Sequence, residues 1–117
     1  MKVSVVGGGN GGVFTALYLG HYADGVEVEL IHNPEISPER VGQATLLDPP
    51  NMLWAAGRFN WYDNPIHATF KSGILYEGFG KVNDKVFHDF PSNRMAMHYC
   101  PWEMQNYILN SGNFKVT

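Results

Sequence analysis

The sequence predicts an α/β fold that opens on a strand–helix–strand unit and continues into additional strands. Three observations predict it: a short β-branched run from Val3 to Val6, a glycine cluster from Gly7 to Gly12 directly behind it, and a second apolar run at Val26 to Ile31 after a helical stretch. The first run is bounded by Lys2 and glycine, as a buried strand is. Val13, Ala16, Leu17 and Gly20 recur at three- and four-residue intervals, which places a helix from about Gly11 to Tyr22. The Asp24-Gly25 turn stops it. Val26, Val28 and Leu30-Ile31 alternate with Glu27 and Glu29, giving a second strand with one wetter face. Short links between these pieces imply a right-handed crossover, so the two strands are expected to be parallel neighbours.

Beyond this unit the pattern is less regular. From His32 to Thr45 there is no period, and Asn33, Pro34, Pro38 and Gly42 mark an extended loop. Pro49-Pro50 opens a short helix covering Met52 to Ala56, because proline fits the first helical turn. Ala68 to Gly80 is aromatic and β-branched and reads as strand, and Val86 to Phe90 as another. Pro101 to Leu109 reads as a helix with Trp102, Gln105, Asn106 and Leu109 on one side and Met104, Tyr107 and Ile108 on the other. Ser111-Gly112 ends it, and Phe114 to Thr117 begins a further strand. With no closing helix after that strand, residues 1–117 are expected to form one incomplete domain, the N-terminal part of a longer protein.

Composition excludes several classes of function. A 117-residue chain that is 44% hydrophobic and 16% charged suits one small globular domain with a real core. A net charge of −3 with no basic run leaves no electrostatic footprint for nucleic acid or an anionic membrane. No apolar stretch approaches the roughly 20 residues of a membrane span. Met1-Lys2-Val3 leads straight into a strand, without a signal peptide, and Cys100 has no second cysteine to pair with, so the expected compartment is the cytoplasm. The five histidines share no metal spacing with one another or with Cys100, and no metal site is expected. Cys100, beside Pro101, reads as a packing residue at a helix start rather than a nucleophile.

Gly7-Gly8-Gly9-Asn10-Gly11-Gly12 satisfies G-x-G-x-x-G between a strand and a helix, which makes the unit Rossmann-like and dinucleotide-binding. Gly7 permits the tight turn, Gly9 lets backbone approach a diphosphate, and Gly12 lets helix pack on strand. Free N–H groups and the positive end of the helix dipole favour phosphate there, each dipole interaction contributing about 0.3–1 kcal/mol, so several donors must act together. A glycine-rich turn without ligand is the alternative. The acid expected about twenty residues past the third glycine, which would hold a ribose hydroxyl, is missing. His32 and Asn33 stand there instead, either as ribose contacts or as an ordinary strand end, and Glu35 is placed to reach back. A neutral hydrogen bond contributes about 1 kcal/mol against about 1.5–3 for a charged one, so cofactor affinity is expected to be modest.

These residues, followed by Glu29-Leu30-Ile31 and then Arg40-Val41-Gly42-Gln43-Ala44-Thr45, resemble the start of the flavin-dependent tryptophan halogenases, with G-G-G-x-A-G-W and G-V-G-E-A-T. Phe70-Lys71-Ser72-Gly73-Ile74-Leu75-Tyr76 is similar to their F-K-A-A-I-K-F segment. The resemblance implies FAD as the cofactor, reduced by a separate flavin reductase. It implies that oxygen and a bound halide then yield hypohalous acid, which an active-site lysine directs onto a small electron-rich aromatic such as tryptophan or indole. Lys71 falls at the lysine position; on its own it would read as a solvated edge charge. Gly7, Gly9, Asn10, Gly11, Gly12, His32 and Asn33 fall at the cofactor loop and strand end, and Val41, Gly42, Gln43, Ala44 and Thr45 at the loop passing the flavin ring.

The chain departs from that pattern at several points. Gln43 replaces the glutamate, Val13 the tryptophan, and His32 the acid; Met97 to Trp102 keeps only the histidine of a His-Phe-Asp-containing segment. The W-x-W-x-I-P motif and the assisting glutamate do not occur in these residues, so the fragment alone is expected to be inactive. Two other readings stand beside the halogenase: another FAD-dependent monooxygenase or oxidoreductase, and a truncated, non-catalytic nucleotide-binding domain. Trp54, Trp61, Trp102, Tyr62, Tyr76 and Phe59 serve either a pocket or core packing, and Asn60 to Pro65 reads as an aromatic surface loop near the lysine-bearing strand.

Overall fold

A computed structural model describes residues 1–80 and 84–117. The chain runs β1 (Lys2–Val6), α1 (Asn10–Tyr22), β2 (Glu27–Ile31), β3 (Gln43–Ala44), α2 (Asp48–Gly57), β4 (Thr69–Lys71), β5 (Gly73–Glu77), β6 (Lys85–Asp89), β7 (Ala96–Tyr99), α3 (Pro101–Ser111) and β8 (Lys115–Val116). Mixed helix and strand around a parallel sheet is the predicted fold class.

β1 and β2 pair in parallel with Val5 opposite Leu30, and α1 crosses between them. The alternation in β2 has a physical use. Val28 and Leu30 turn inward onto Val13, Ala16 and Leu17 of α1, all buried, each such side chain contributing about 1.5–3 kcal/mol by leaving water. Glu29 turns to the other face, where Lys2 (3.3 Å), Lys115 (3.5 Å) and the Thr117 hydroxyl (2.8 Å) surround its carboxylate. That company holds Glu29 below its ordinary pKa of 4.5, the Thr117 hydrogen bond first and the lysines after it. β8 adds to β2 in parallel, completing the order β1–β2–β8.

The predicted helix after Pro49-Pro50 is α2, longer than its apolar residues suggest because the two prolines occupy its first turn. It ends at Arg58, whose φ of 56° is left-handed. In α3 both predicted sides are as expected. Met104 and Ile108 are buried in the core with Tyr107 packed against it, while Trp102, Gln105, Asn106 and Leu109 face an open cleft. Cys100 precedes the helix, and its carbonyl accepts hydrogen bonds from the Glu103 and Met104 amides at 3.1 Å.

β1, expected as a buried strand, is only half-buried at Val3 and Val5 and exposed at Ser4 and Val6, because α1 and the core cover one of its faces. Two further expectations need correction. Ala68 to Gly80 is not one strand. It divides at Ser72 into β4, which pairs with β7, and β5, which forms an antiparallel hairpin with β6. Gly73 sits where a Cβ would lie 2.5 Å from the His88 carbonyl oxygen, so the break coincides with a close backbone approach. The second correction is the antiparallel sheet β3–β7–β4, whose central strand and first edge fall in segments that carry no strand pattern. The β5–β6 hairpin shows water its larger apolar side chains on both strands, among them Leu75, Val86 and Phe87.

Candidate functional site

The glycine loop occupies the bend between β1 and α1, and its three numbered glycines behave differently. Gly7 has φ +114°, a conformation side chains rarely adopt, and its N–H still continues the ladder by donating to the Ile31 carbonyl at 2.8 Å. Gly12 lies directly under it: a Cβ there would be 1.7 Å from the Gly7 carbonyl oxygen, closer than any atom tolerates. Gly9, the residue before α1, has extended backbone open to any residue, and a Cβ there would meet nothing within 4 Å. Gly9 stands immediately before Asn10, the first residue of α1.

No side chain caps α1, and its first turn contains no acid. The first N–H groups of any α-helix lack intrahelical partners, so this end presents donors and the positive pole of the dipole to whatever lies beyond it. What lies beyond is a cleft of about 600 Å³ at the carboxyl ends of β1 and β2. Gly7 to Asn10 form one wall and His32, Asn33 and Pro34 another; Ile36 to Glu39 and the outer side of α3 close it. Ligands of open parallel sheets bind at this place. His32 packs on the loop itself, since a Cβ on Gly8 would lie 2.9 Å from its Cβ.

The structure thus brings together Gly7, Gly9, Asn10, His32 and Asn33, with Gly11 and Gly12 in the helical turn behind them. It does not bring Gly42 to Thr45 into that cleft. Gly42, Gln43 and Ala44 line a shallower depression of about 450 Å³ with His67, His98, Tyr99 and Cys100, and Val41 is exposed. Glu35 does not line the main cleft either; its N–H is held by the Asn33 side chain at 2.9 Å. The acid that does line it is Glu39.

A chain of hydrogen bonds links the two depressions. The Asn10 amide donates to Gln43 Oε1 (2.6 Å) and the Tyr99 hydroxyl (3.1 Å), and its Oδ1 accepts from Gln105 (2.7 Å). Tyr99 donates to the same Gln43 oxygen at 2.9 Å, and Gln43 Nε2 donates to Glu39 Oε2 at 2.7 Å. Burial pushes the Tyr99 phenol above its ordinary pKa of 10.0, which keeps it the donor this arrangement uses. Tyr99, Gln105 and Glu39 carried no sequence signal for this cluster; Tyr99 and Gln105 join it through contacts more than fifty positions apart, and Glu39 through Gln43, four residues on, in a stretch with no regular pattern.

Lys71, at the end of β4, is half-buried and lies outside both depressions. Its ammonium donates to the Thr45 carbonyl at 3.0 Å and sits 5.6 Å from the centre of the Phe90 ring. Thr45 is itself buried, its N–H donating to the Met97 carbonyl at 2.8 Å and its hydroxyl accepting from the Met97 amide at 3.1 Å. The lysine is therefore tied to the far end of the Val41–Thr45 loop. Trp61 packs on Phe70 beside it (4.4 Å between ring centres), as the expected aromatic loop would; Phe59 is core, and Tyr62 is fully exposed. Among the described residues no helix is long and apolar enough to cross a membrane, and no group of three or more potential metal ligands gathers.

The fold has counterparts among known proteins. The fold is similar to Xcc4156, a flavin-dependent halogenase from Xanthomonas campestris, with a TM-score of 0.81 at 16% identity over 99% of this chain and 34% of that one. It is similar to a tryptophan 6-halogenase, SttH, from Streptomyces toxytricini, with a TM-score of 0.73 at 18% identity over 99% of this chain and 34% of that one. A 2-methyl-3-hydroxypyridine-5-carboxylic acid oxygenase shares the fold at a TM-score of 0.66 and 16% identity, over 99% of this chain and 30% of that one. The chain therefore spans about a third of the length of the solved structures it matches. No curated protein matches it by sequence. The family model for tryptophan halogenase matches residues 2–113, nearly the whole chain, and the protein belongs to that family.

Proposed function

We propose that this chain is the N-terminal FAD-binding portion of a flavin-dependent halogenase, and that the cleft at the mouth of α1 receives the FAD diphosphate. One observation carries the reading: an uncapped helix N-terminus faces a cleft across Gly9, whose missing Cβ leaves that approach open. The fit is chemical as well as spatial. The lining holds no lysine or arginine, so the main-chain N–H groups are what this chain offers an anion. In this reading Gly7 to Gly12 grip the diphosphate, His32 and Asn33 flank the adenosine side, and Val41 to Thr45 run along the flavin side.

When bound and reduced by a separate flavin reductase, FAD would supply the electrons that let oxygen convert halide to hypohalous acid. The chain's own part is then positional. Lys71 spends one N–H on Thr45 and keeps others to hold a hypohalous oxygen toward an aromatic substrate. The cytoplasm, with its reduced flavin, is the compartment that suits this chemistry. The direct test is an FAD titration of the purified protein, read by quenching of flavin fluorescence. Saturable binding is expected, and an absence of binding at millimolar FAD would remove the reading.

A second reading, an FAD-dependent oxygenase that handles no halide, is favoured by the fold shared with the pyridine-carboxylate oxygenase. The Lys71→Ala variant of the complete enzyme separates the two, since halogenated product depends on the lysine and flavin-dependent hydroxylation does not.

A further inference from the structure

The cleft contains a single carboxylate, and no part of the reading above uses it. We propose that Glu39 is the acidic acceptor for the hydroxyls of the ligand's polyol unit next to the diphosphate, ribose or ribitol, in place of the acid absent at the end of β2. The inference rests on the FAD reading and deepens it.

Three observations carry it. Among the lining residues Glu39 alone is ionisable as an acid, while His32, at the usual acid position, is stacked on the glycine loop. Glu39 is also held in place: Gln43 Nε2 donates to its Oε2 at 2.7 Å, and Gln43 is in turn fixed by Asn10 and Tyr99. An amide at position 43 is matched to a carboxylate at 39, because two carboxylates at that separation would repel. Finally, Asn10 is the first residue of α1, so Glu39 stands two hydrogen bonds from the place where an anion is favoured. A phosphate beside a carboxylate is repelled, whereas a hydroxyl beside it donates a charge-assisted hydrogen bond. The cleft thus asks for a ligand in which an anion adjoins hydroxyl donors.

Glu39→Gln keeps the side-chain shape and an oxygen for Gln43 while removing the charge. Calorimetric affinities for FAD, ADP, FMN and inorganic pyrophosphate are compared in parent and variant. The variant is expected to weaken FAD about ten-fold, the difference between a charged and a neutral hydrogen bond, and to leave pyrophosphate unchanged or tighter. Equal weakening of ADP identifies ribose, and equal weakening of FMN identifies ribitol. Unaltered FAD affinity, or pyrophosphate weakened as much as FAD, overturns the role of Glu39, the latter by showing a displaced loop. If the parent binds neither FAD nor pyrophosphate, the FAD reading itself fails and this inference fails with it.

Discussion

Alanine at Gly9 and alanine at Gly12, three positions apart, are expected to do opposite things. At Gly9 the backbone (φ −73°, ψ −179°) suits any residue and the methyl group meets no atom within 4 Å. Losing a glycine stiffens the unfolded chain by about 0.4–1 kcal/mol. Alanine is a poorer N-cap than glycine by about 0.5–1 kcal/mol. The two terms oppose each other and leave about 0.5 kcal/mol or less, a melting shift below about 4 °C for a domain of this size. With the diphosphate placed as proposed, the methyl would instead stand between it and the amides of the loop. Loss of one charge-assisted N–H contact, about 1.5–3 kcal/mol, weakens FAD roughly 10- to 150-fold. At Gly12 the methyl would lie 1.7 Å from the Gly7 carbonyl oxygen, so α1 must shift off β1. Overpacking of that kind costs about 1–3 kcal/mol or more, a fall in melting temperature of roughly 4–20 °C. Thermal melts and FAD fluorescence titrations on both variants read the two effects separately. A Gly12→Ala protein that melts like the parent would refute the packing argument. A Gly9→Ala protein that binds FAD like the parent would refute the placement of the diphosphate.

Gln43→Glu sets a second carboxylate against Glu39 and deprives it of a donor; because the pair is exposed, a loss of about 0.5–1 kcal/mol at neutral pH is expected. Most of it should return in the Gln43→Glu, Glu39→Gln double variant, measured by urea unfolding; an additive double variant would show that the two side chains do not interact. Glu29 has its folded pKa below 4.5, so its contribution to stability is complete above that pH and is lost as pH falls through the lower folded value. Glu29→Gln should therefore melt lower than the parent at pH 7 and converge with it in acid; a constant gap down to pH 2 would exclude the linkage. Lys71→Ala in the complete enzyme should retain FAD within two-fold yet yield no halogenated aromatic by mass spectrometry. Undiminished product would remove the lysine from the chemistry.

The strand–helix–strand unit was legible because its signals are local. The period of Val13, Ala16 and Leu17, the alternation of β2 and the glycine cluster each depend on neighbours within a few residues. β3 and β7 have no such signature. β3 is two residues long and exists because Gln43 and Ala44 meet Tyr99 and His98, more than fifty positions away. The run through Ser72 hid a division for the same reason: its composition does not change where Lys71 pairs with Ala96 and Gly73 with Asp89. Of the residues gathered around the cleft, Gly7, Gly9, His32 and Asn33 could be picked out from spacing. Glu39, Tyr99 and Gln105 could not, since what assigns them is a hydrogen-bond chain joining four separated segments.

The β5–β6 hairpin carries an implication for how this chain comes apart. Its ladder from Gly73–Asp89 to Glu77–Lys85 closes on itself, with one surface ion pair of 2.9 Å near its end. Two strands whose apolar side chains meet water on both sides gain little from burial, and such ribbons are marginal in isolation. Deuterium should therefore enter the amides of Ile74 to Tyr76 well ahead of those in β1 and β2, by fraying that leaves the glycine loop intact. A probe attached to this ribbon would report its own opening and say nothing about the sheet beneath the cleft.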